Sequence, residues 1–323
     1  MAKRALIAGI AGQDGTYLTE SLLAKGYEVY GLLGPDAGGF RDWARGLDGV
    51  VEGLEGDVTD MRSLTDAIEH ARPDEVYNFS AISSVGDSWR DAISMTEVNA
   101  VGVLRILEAI RRVKLDARFF QASSAEMFGN AAEMPQLETT PLHPISPYAA
   151  AKTYGYHIVA SYRDSYGMHA SNGILFNHES PRRALQFVTR KITDGAVRIK
   201  LGLAEDLYLG NLDARRDWGF AGDYVEAMWL MLQQDTPDDF VISTGETRTV
   251  REFCDAAFSR LGLDYRDHVK VDPALFRPVD VNVLFGDPIK ARTVLGWVPR
   301  VSFAELVGMM VDADLERLRE SAG

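Results

Sequence analysis

A tyrosine and a lysine four positions apart are the residues of this chain best suited to proton chemistry. Tyr148 and Lys152 stand in the segment SPYAAAK. If this segment is helical, the spacing places both side chains on one face. There, an ammonium can stabilise a phenolate and lower the tyrosine pKa, so that the phenol accepts a proton near neutral pH. A solvated helix face is the alternative interpretation of the same pattern.

Three glycines near the start have the spacing of a dinucleotide-binding turn. Gly9, Gly12 and Gly15 lie in GIAGQDG, between the strand candidate RALIAGI and the helix candidate TYLTESLLAKG. Glycine lets the backbone approach a pyrophosphate at a helix amino terminus, whose dipole favours anions. An ordinary tight turn is the structural alternative. With Tyr-x-x-x-Lys downstream in the same chain, the two patterns together predict a nicotinamide-dependent redox enzyme.

Strands and helices alternate through the first half of the chain. Strand candidates are YEVYGLL, VVEGLEGDV, DEVYNFSA and ARFFQASS, and helix candidates between them are MRSLTDAIEHARP and EVNAVGVLRILEAIRRV. This order predicts an α/β fold with a doubly wound parallel sheet, which binds ligands at the carboxyl ends of its strands. We expect a NAD(P)-binding Rossmann domain over residues 1–172, with returns of the chain near 211–245 and 280–290. The remainder, residues 173–323, is expected to form mainly a smaller substrate-binding lobe.

Polar residues at the ends of these strands are candidates for the site. Asp57 ends the third strand, where it could meet an adenine amino group. QASSAEMFG places Ser123, Ser124 and Glu126 at the carboxyl edge of the sheet, near the expected nicotinamide. A serine there can hold the substrate oxygen that Tyr148 deprotonates, whereas a lone glutamate is also a common helix or turn cap.

The stretch after the second predicted strand bears on the phosphate status of the cofactor. It is LLGPDAGGFRDW, in which Asp36 lies about the right distance past the glycines to accept from a ribose hydroxyl and favour NAD. A loop position for Asp36 is equally open, and Arg41 or Arg45 could instead bind a 2'-phosphate. NAD and NADP both remain open on this segment.

Composition bounds the possible partners. The chain has 323 residues, of which 46% are hydrophobic and 25% charged, as is usual for a soluble globular protein. The net charge of -13 argues against nonspecific binding to nucleic acid or an anionic membrane. No apolar stretch is long enough for a bilayer span, and the start lacks the pattern of a signal peptide. The single cysteine, Cys254, suits a reducing cytoplasm and a buried packing role.

Longer motifs occur along almost the whole chain. They are GIAGQDGTYL, GDVTD, PDEVYN, SPYAAAK, SYGMHASNGILFNHESPRR, FVTRKI, LYLGNLDARRDWGFAGDYV, FRPVDV and GDPIKARTVLGW. With these motifs the chain resembles the GDP-mannose 4,6-dehydratase family of extended short-chain dehydrogenases/reductases. The resemblance implies Ser124 in the place of the family's catalytic threonine, Glu126 as base, and Tyr148 with Lys152 as the redox pair. It also implies tightly held NADP and a GDP-sugar that is oxidised at C4, dehydrated across C5 and C6, and reduced at C6.

The full expected site is larger than this catalytic set. Residues expected to bind the cofactor are Gly9, Gly12, Gln13, Asp14, Gly15, Asp36, Arg41, Asp57, Val58, Ser80, Tyr148 and Lys152. Residues expected to bind the nucleotide sugar are Ser83, Ser84, Asn177, Arg183, Lys191, Arg216, Arg277 and Asp280. We expect no metal, because His178 has no second histidine or cysteine at ligand spacing.

Three departures from the family pattern leave alternatives open. Ala125 stands where the family has a hydroxyl, and GPDAGGFRDW replaces the arginine- and serine-rich loop that holds the 2'-phosphate and joins subunits into tetramers. NAD therefore stays possible beside NADP, and we expect a homodimer, with a tetramer as the alternative. The segment from Ala81 to Ser84 changes a wall of the sugar pocket. A GDP-4-keto-6-deoxyhexose reductase or epimerase is the competing hypothesis, and a catalytically silent sensor is a third.

Overall fold

The structure is a computed structural model, and it describes residues 2–34, 50–114, 116–276 and 279–320. Strands in these ranges are β1 (Arg4–Ala8), β2 (Glu28–Leu33), β3 (Val51–Glu55), β4 (Glu75–Asn78), β5 (Arg118–Ser124), β6 (Ala170–Leu175), β7 (Asn177–Glu179), β8 (Leu207–Leu209), β9 (Arg215–Arg216), β10 (Trp218–Phe220), β11 (Phe240–Ile242), β12 (Arg248–Thr249) and β13 (Val269–Val271).

The helices alternate with these strands. They are α1 (Gln13–Ala24), α2 (Met61–Ala71), α3 (Ala92–Thr96), α4 (Gly102–Val113), α5 (Pro147–Tyr166), α6 (Val188–Lys200), α7 (Ala221–Gln233), α8 (Val250–Arg260), α9 (Tyr265–His268) and α10 (Phe303–Glu320). A π-helical turn, Glu97–Val101, joins α3 to α4, so the single helix predicted there is divided. No helix in the described ranges has both the length and the apolar run needed to cross a bilayer.

Seven strands form one parallel sheet in the order β3, β2, β1, β4, β5, β6, β11. Helices α1 and α7 cover one face, where Leu18 and Met228 are buried. Helices α2, α4 and α5 cover the other face, around Leu107 and Phe119. The predicted α/β fold with a doubly wound parallel sheet is confirmed. The strand order reverses between β1 and β4, which is where such sheets open a crevice for ligands.

A second core lies beyond this sheet and is built mainly from α6, α8 and α10. Ile192, Phe253 and Met310 are buried in it, and so is Cys254, as expected for a packing residue. Short strand pairs frame it: β7 with β10, β9 with β12, and β8 with β13. The chain then returns to the main sheet through α7 and β11. Residues 207–220 contain three of these short strands, β8, β9 and β10.

A buried ion pair joins α6 to α10 in the second core. The Arg190 guanidinium donates to both carboxylate oxygens of Asp314 at 2.7–3.0 Å, and the Thr193 hydroxyl donates to the same carboxylate at 2.7 Å. Asp314 is completely buried. Since removal of one partner leaves an uncompensated buried charge, we expect Asp314→Asn to lower the free energy of unfolding by about 3–5 kcal/mol. Chemical denaturation with a fluorescence readout measures this loss.

Asp312 provides the matched control, because it lies on the same helix and also pairs with an arginine. Its partner is Arg260 at 2.7 Å, with both side chains 54% exposed. Water solvates each charge when the other is removed, so Asp312→Asn is expected to leave the unfolding midpoint unchanged. If both substitutions destabilised the protein equally, burial of the Arg190–Asp314 pair would not be the cause of the loss.

Candidate active site

The turn between β1 and α1 brings the backbone of two strands into close approach. Gly9 has φ of +84°, and a Cβ on it would lie 2.9 Å from the carbonyl carbon of Phe79 and from the nitrogen of Ser80. A Cβ on Gly15 would lie 2.5 Å from the Gly9 oxygen. Helix α1 then begins without a side-chain cap. Its first N–H groups thus lack a capping side chain, as at helix termini that bind anions.

Helix α5 positions Tyr148 and Lys152. It begins at Pro147, after Ser146, whose Oγ accepts a hydrogen bond from the Ala149 nitrogen at 3.1 Å. Serine at the cap and proline at the first helical position are a strong helix start. Both chemical side chains are buried, and the Lys152 Nζ lies 5.8 Å from the centre of the Tyr148 ring. The predicted sharing of one helix face is confirmed.

The acidity of this pair differs from the sequence-based expectation. Burial raises the pKa of Tyr148 to about 12, against the opposing effect of a hydrogen bond with Ser124. The Lys152 Nζ donates to the Ala122 carbonyl at 2.8 Å. Burial lowers the pKa of this ammonium to about 8. The expectation that Lys152 lowers the tyrosine pKa is therefore wrong for this conformation, in which burial dominates.

The end of β5 places a carboxylate beside the phenol. The Ser124 Oγ accepts a hydrogen bond from the Glu126 nitrogen at 3.2 Å and also interacts with the Tyr148 hydroxyl. One serine hydroxyl thus joins the glutamate-bearing turn to the tyrosine. The hydroxyl of Ser123 donates instead to Asn172 Oδ1 at 3.1 Å, within the protein interior.

One cleft of about 390 Å³ gathers most of the expected chemical side chains. Among its lining residues are Asp14, Ser83, Ser84, Ser124, Glu126, Tyr148, Lys152, Asn177, Arg183, Lys191, Arg216 and Asp280. The cleft extends from the carboxyl ends of the sheet strands to the second core, where Leu209 and Val250 line it. Acid, base and cationic groups from distant parts of the chain therefore face one volume.

Other expected residues lie beside the cleft lining. Gly9, Gly12, Gln13 and Gly15 form the turn and first helical residues after β1, and Ser80 adjoins Gly9. Asp57 and Val58 follow β3, where the Asp57 Oδ1 accepts hydrogen bonds from the Thr59 nitrogen and hydroxyl at 2.8 Å. Asp36, Arg41 and Arg277 lie outside the described residues.

The second-core side of the cleft carries the cations. Arg183 pairs with Glu179 at 3.1 Å, and its guanidinium lies 3.7 Å from the centre of the Phe187 ring. Arg216 donates to Asp280 at 3.0 Å. Lys191 lines the same volume. Guanidinium groups so oriented by carboxylates and an aromatic ring are suited to an anion such as a diphosphate, although the chain as a whole is acidic.

Two residues that shape the site have no assigned role in the expected set. Buried Asn99 holds the cleft wall in place, because its side chain both accepts from the Ile82 nitrogen and donates to the Ile82 carbonyl at 2.9 Å. An asparagine inside the apolar pattern EVNAVGV was the available signal. His178, considered in the sequence only as a metal ligand, pairs with Asp14 at 2.9 Å. Its partner is remote in sequence, so spacing could not reveal the pair.

Comparisons with known proteins agree with this geometry. A family model described as GDP-mannose 4,6 dehydratase matches residues 6–310. GDP-mannose 4,6 dehydratase 1 of Arabidopsis thaliana is 50% identical, over 97% of this chain and 90% of that protein. The GDP-mannose 4,6 dehydratase of Homo sapiens is 46% identical, over 98% of this chain and 92% of its own.

A solved structure extends the agreement to three dimensions. The UDP-glucose 4-epimerase of Thermus thermophilus, in complex with NAD, superposes with a TM-score of 0.84 at 30% identity. The superposition covers 96% of this chain and 98% of the epimerase. The family match over residues 6–310 and the identity to full-length relatives lead to one conclusion: the chain belongs to the GDP-mannose 4,6-dehydratase family.

Proposed function

We propose that this chain is a hydro-lyase that converts GDP-mannose, or a close GDP-hexose, into the GDP-4-keto-6-deoxy sugar. The observation that carries the proposal is the joint presence of Tyr148 and Glu126 in one cleft, connected through the Ser124 hydroxyl. A tyrosine alone suffices for a redox step, whereas a second acid/base group is needed to eliminate water. Family membership gives the substrate class.

The residues after β1 fit a nicotinamide dinucleotide. The narrow space at Gly9 admits no side chain, and the uncapped start of α1 offers backbone donors to a pyrophosphate. We assign the pyrophosphate to Gly9, Gly12, Gln13, Asp14 and Gly15. The adenosine is assigned to Asp57 and Val58, and the nicotinamide end to Ser80, Tyr148 and Lys152. NADP is the proposed form by family resemblance, with NAD the alternative, and mass spectrometry of the dinucleotide released on denaturation distinguishes them.

The nucleotide sugar is assigned to the second-core side of the cleft. We propose that Asn177, Arg183, Lys191 and Arg216 bind the diphosphate, together with Arg277. Asp280 orients the Arg216 guanidinium through its 3.0 Å hydrogen bond. Ser83 and Ser84 form the wall at the sugar. In this arrangement residues 1–172, with the returns near 211–245 and 280–290, bind the cofactor, and residues 173–323 bind mainly the nucleotide sugar.

The proposed roles follow from proton positions. Tyr148 takes the proton of the C4 hydroxyl, while Ser124 holds the same oxygen through its own hydroxyl. The ketone so formed at C4 acidifies the C5 hydrogen; Glu126 removes that proton and passes it to the departing C6 hydroxyl, which leaves as water. A bound nicotinamide would supply the hydride acceptor for C4 and the hydride donor for C6, and the proton held by Tyr148 would return to C5. No net oxidation occurs, so the cofactor is expected to stay bound between turnovers.

Incubation of the purified protein with GDP-mannose and no added cofactor tests this proposal. We expect mass spectrometry to show a product lighter by one water, and we expect borohydride reduction to reveal a carbonyl at C4. If no such product forms after loading with NADP or NAD, the dehydratase is contradicted. Turnover of a GDP-4-keto-6-deoxyhexose under those conditions would instead support the reductase or epimerase hypothesis.

The pKa of the Lys152 ammonium predicts how activity depends on pH. Its ammonium is proposed to orient the cofactor only while protonated, and burial holds its pKa at about 8. The cationic fraction falls as pH rises through this value, so kcat/KM is expected to decline above about pH 8. A Lys152→Arg variant that retains measurable activity should lose this alkaline decline, because arginine stays charged. An unchanged decline in that variant would assign it to another group.

Substitution of Gly9 is expected to weaken cofactor binding strongly. Its alanine variant adds a Cβ that would meet two backbone atoms of the β4 end at 2.9 Å, and neither backbone atom can rotate away. We expect Gly9→Ala to lose most of the dinucleotide that copurifies, as measured by absorbance after denaturation. Gly26→Ala is the matched control: Gly26 also has positive φ, +81°, but nothing lies within 4 Å of its added Cβ. Equal cofactor loss in both would indicate backbone strain instead of close approach.

The proposed assembly is a homodimer in the cytoplasm. Three exposed apolar side chains support self-association: Ile93, Tyr154 and Tyr166, which are 80%, 43% and 49% exposed on α3 and α5. The single cysteine is buried and unpaired, as suits a reducing compartment. Light scattering on the eluting protein should give twice the chain mass. Four times the chain mass would establish the tetramer.

A further inference from the structure

The first turn of α1 is tied to the chain segment that leaves β7. The Gln13 side-chain amide donates to the His178 carbonyl at 3.0 Å, and its oxygen accepts from the Ser180 hydroxyl at 2.8 Å. The next residue, Asp14, accepts from the His178 ring at 2.9 Å. Two adjacent residues of the cofactor helix thus contact a segment that belongs to the proposed sugar-binding side.

The ring of His178 lies between two acceptors. Its Nδ1 is 2.8 Å from the Phe176 carbonyl oxygen, and its Nε2 is 2.9 Å from the Asp14 carboxylate. A neutral imidazole carries only one N–H, so with Asp14 ionised both contacts are hydrogen bonds only if the ring is doubly protonated. His178 is therefore held as a cation and Asp14 as an anion.

The surroundings favour this ion pair. The Tyr224 ring stacks on the His178 ring, with centres 4.8 Å apart and planes at 22°, which fixes the ring orientation. The Asp14 charge raises the pKa of His178 despite the opposing effect of burial and of Arg183. The His178 charge in turn lowers the pKa of Asp14 against its own burial. Each charge thus has its compensating partner within the protein.

The residues next to His178 face the nucleotide-sugar part of the cleft. Asn177 precedes it, and Arg183 follows within the same segment; both line the cleft. Asp14 lies at the start of the helix assigned to the pyrophosphate. His178 is thus next in sequence to Asn177, a proposed binding residue on the sugar side. Asp14 belongs to the first helical turn on the cofactor side.

We propose that His178 and Asp14 are positioning residues that join the cofactor turn to the sugar-binding segment, so that occupation of either site strengthens binding at the other. This inference rests on the proposed function for the identity of the two ligands. Its basis is the pair itself: displacement of either segment would separate two largely buried charges that compensate each other at 2.9 Å, beside the hydrogen bonds of Gln13 to the same segment. Binding of one ligand restrains the pair and so reduces the ordering still needed at the other site.

The coupling can be measured without turnover. The dissociation constant of NADP is determined by equilibrium dialysis of the purified protein, with and without saturating GDP. In the unmodified protein we expect GDP to tighten NADP binding about fivefold or more. The coupling is expressed as the ratio of the NADP dissociation constant without GDP to that with GDP. In His178→Gln, in Asp14→Asn and in the double variant, this ratio is expected to fall close to one. The double variant should bind NADP no more weakly than the weaker-binding single variant, because both substitutions break the same interaction.

The pair of His70 and Glu52 provides a matched control. The two side chains are 2.8 Å apart, but they are 56% and 53% exposed and remote from the cleft. His70→Gln should therefore leave the ratio as in the unmodified protein. Circular dichroism identifies any variant that does not fold; if His178→Gln fails, Asp14→Asn alone carries the test.

Two results would overturn the inference. One is an unchanged ratio in both folded single variants, since a purely structural pair would lower stability and leave the coupling intact. The other is losses of NADP affinity that simply add in the double variant. Failure of the proposed function is recognised separately, because it removes the GDP-mannose product from the unmodified protein, whereas the dialysis measures binding alone.

Discussion

Replacement of Tyr148 by phenylalanine is expected to reduce turnover of GDP-mannose by about 10²–10⁴-fold, the usual contribution of a positioned acid/base group. The substitution removes one hydroxyl from a buried ring and keeps the ring itself. Affinity for GDP-mannose should change little, since the diphosphate is assigned to cations elsewhere in the cleft. Steady-state kinetics give kcat, and calorimetry on the inactive variant gives the substrate affinity.

Tyr154 supplies the control for this result. It lies on the same helix, α5, but its side chain is 43% exposed. Tyr154→Phe should retain full activity. A Tyr148→Phe variant with unchanged kcat would remove the phenol from the mechanism, whereas a loss of substrate affinity without a loss of kcat would indicate a binding role.

The high pKa of Tyr148 sharpens the meaning of this experiment. At about 12, the phenol is protonated at neutral pH in the described conformation. Tyr148 can act as a base only after it has lost its own proton. Binding of the ligands therefore has to lower its pKa, for example by bringing Lys152 away from the Ala122 carbonyl. The side chain that burial makes a weak acid thus depends on the assembled complex for its activity as a base.

Local patterns foretold the parts of the site that depend on local geometry. Gly9 lies in a turn because a β-strand and a helix on either side of it are evident from hydrophobic periodicity alone. Tyr148 and Lys152 share a face because a helix puts positions four apart together. The parallel sheet followed from alternation of strands and helices, and its carboxyl edge placed Ser124 and Glu126 correctly in one cleft.

Contacts between distant segments escaped prediction, since no local rule specifies them. The Lys152 ammonium binds the Ala122 carbonyl, and His178 binds Asp14 across more than half of the chain. Both depend on how segments that are distant in sequence pack together, and the first runs against the expected effect of Lys152 on Tyr148. Burial, known only from the fold, decides the pKa of Tyr148 against the expected effect of its cationic neighbour.

Replacement of Glu126 by glutamine is expected to separate the two halves of the reaction. Glutamine keeps the size of the side chain but cannot accept the C5 proton at neutral pH. Oxidation at C4 needs Tyr148 and the nicotinamide but not Glu126, so it should proceed, whereas loss of water should slow by about 10²–10⁴-fold. On addition of GDP-mannose, the near-ultraviolet absorbance of the reduced nicotinamide should rise and persist, and mass spectrometry should find no dehydrated product.

This persistent reduced cofactor distinguishes a catalytic Glu126 from a glutamate that only caps its turn. A capping side chain accepts a hydrogen bond from a backbone N–H group, which the glutamine oxygen can also do. Glutamine in a purely capping position would therefore leave both the oxidation and the elimination largely intact. Glu133→Gln, at an exposed position in the following loop and outside the cleft lining, controls for loss of one negative charge from the protein. If Glu126→Gln neither accumulates the reduced cofactor nor slows water loss, the elimination must use another base. Loss of both steps together would instead indicate that Glu126 acts by holding Ser124 and Tyr148 in place.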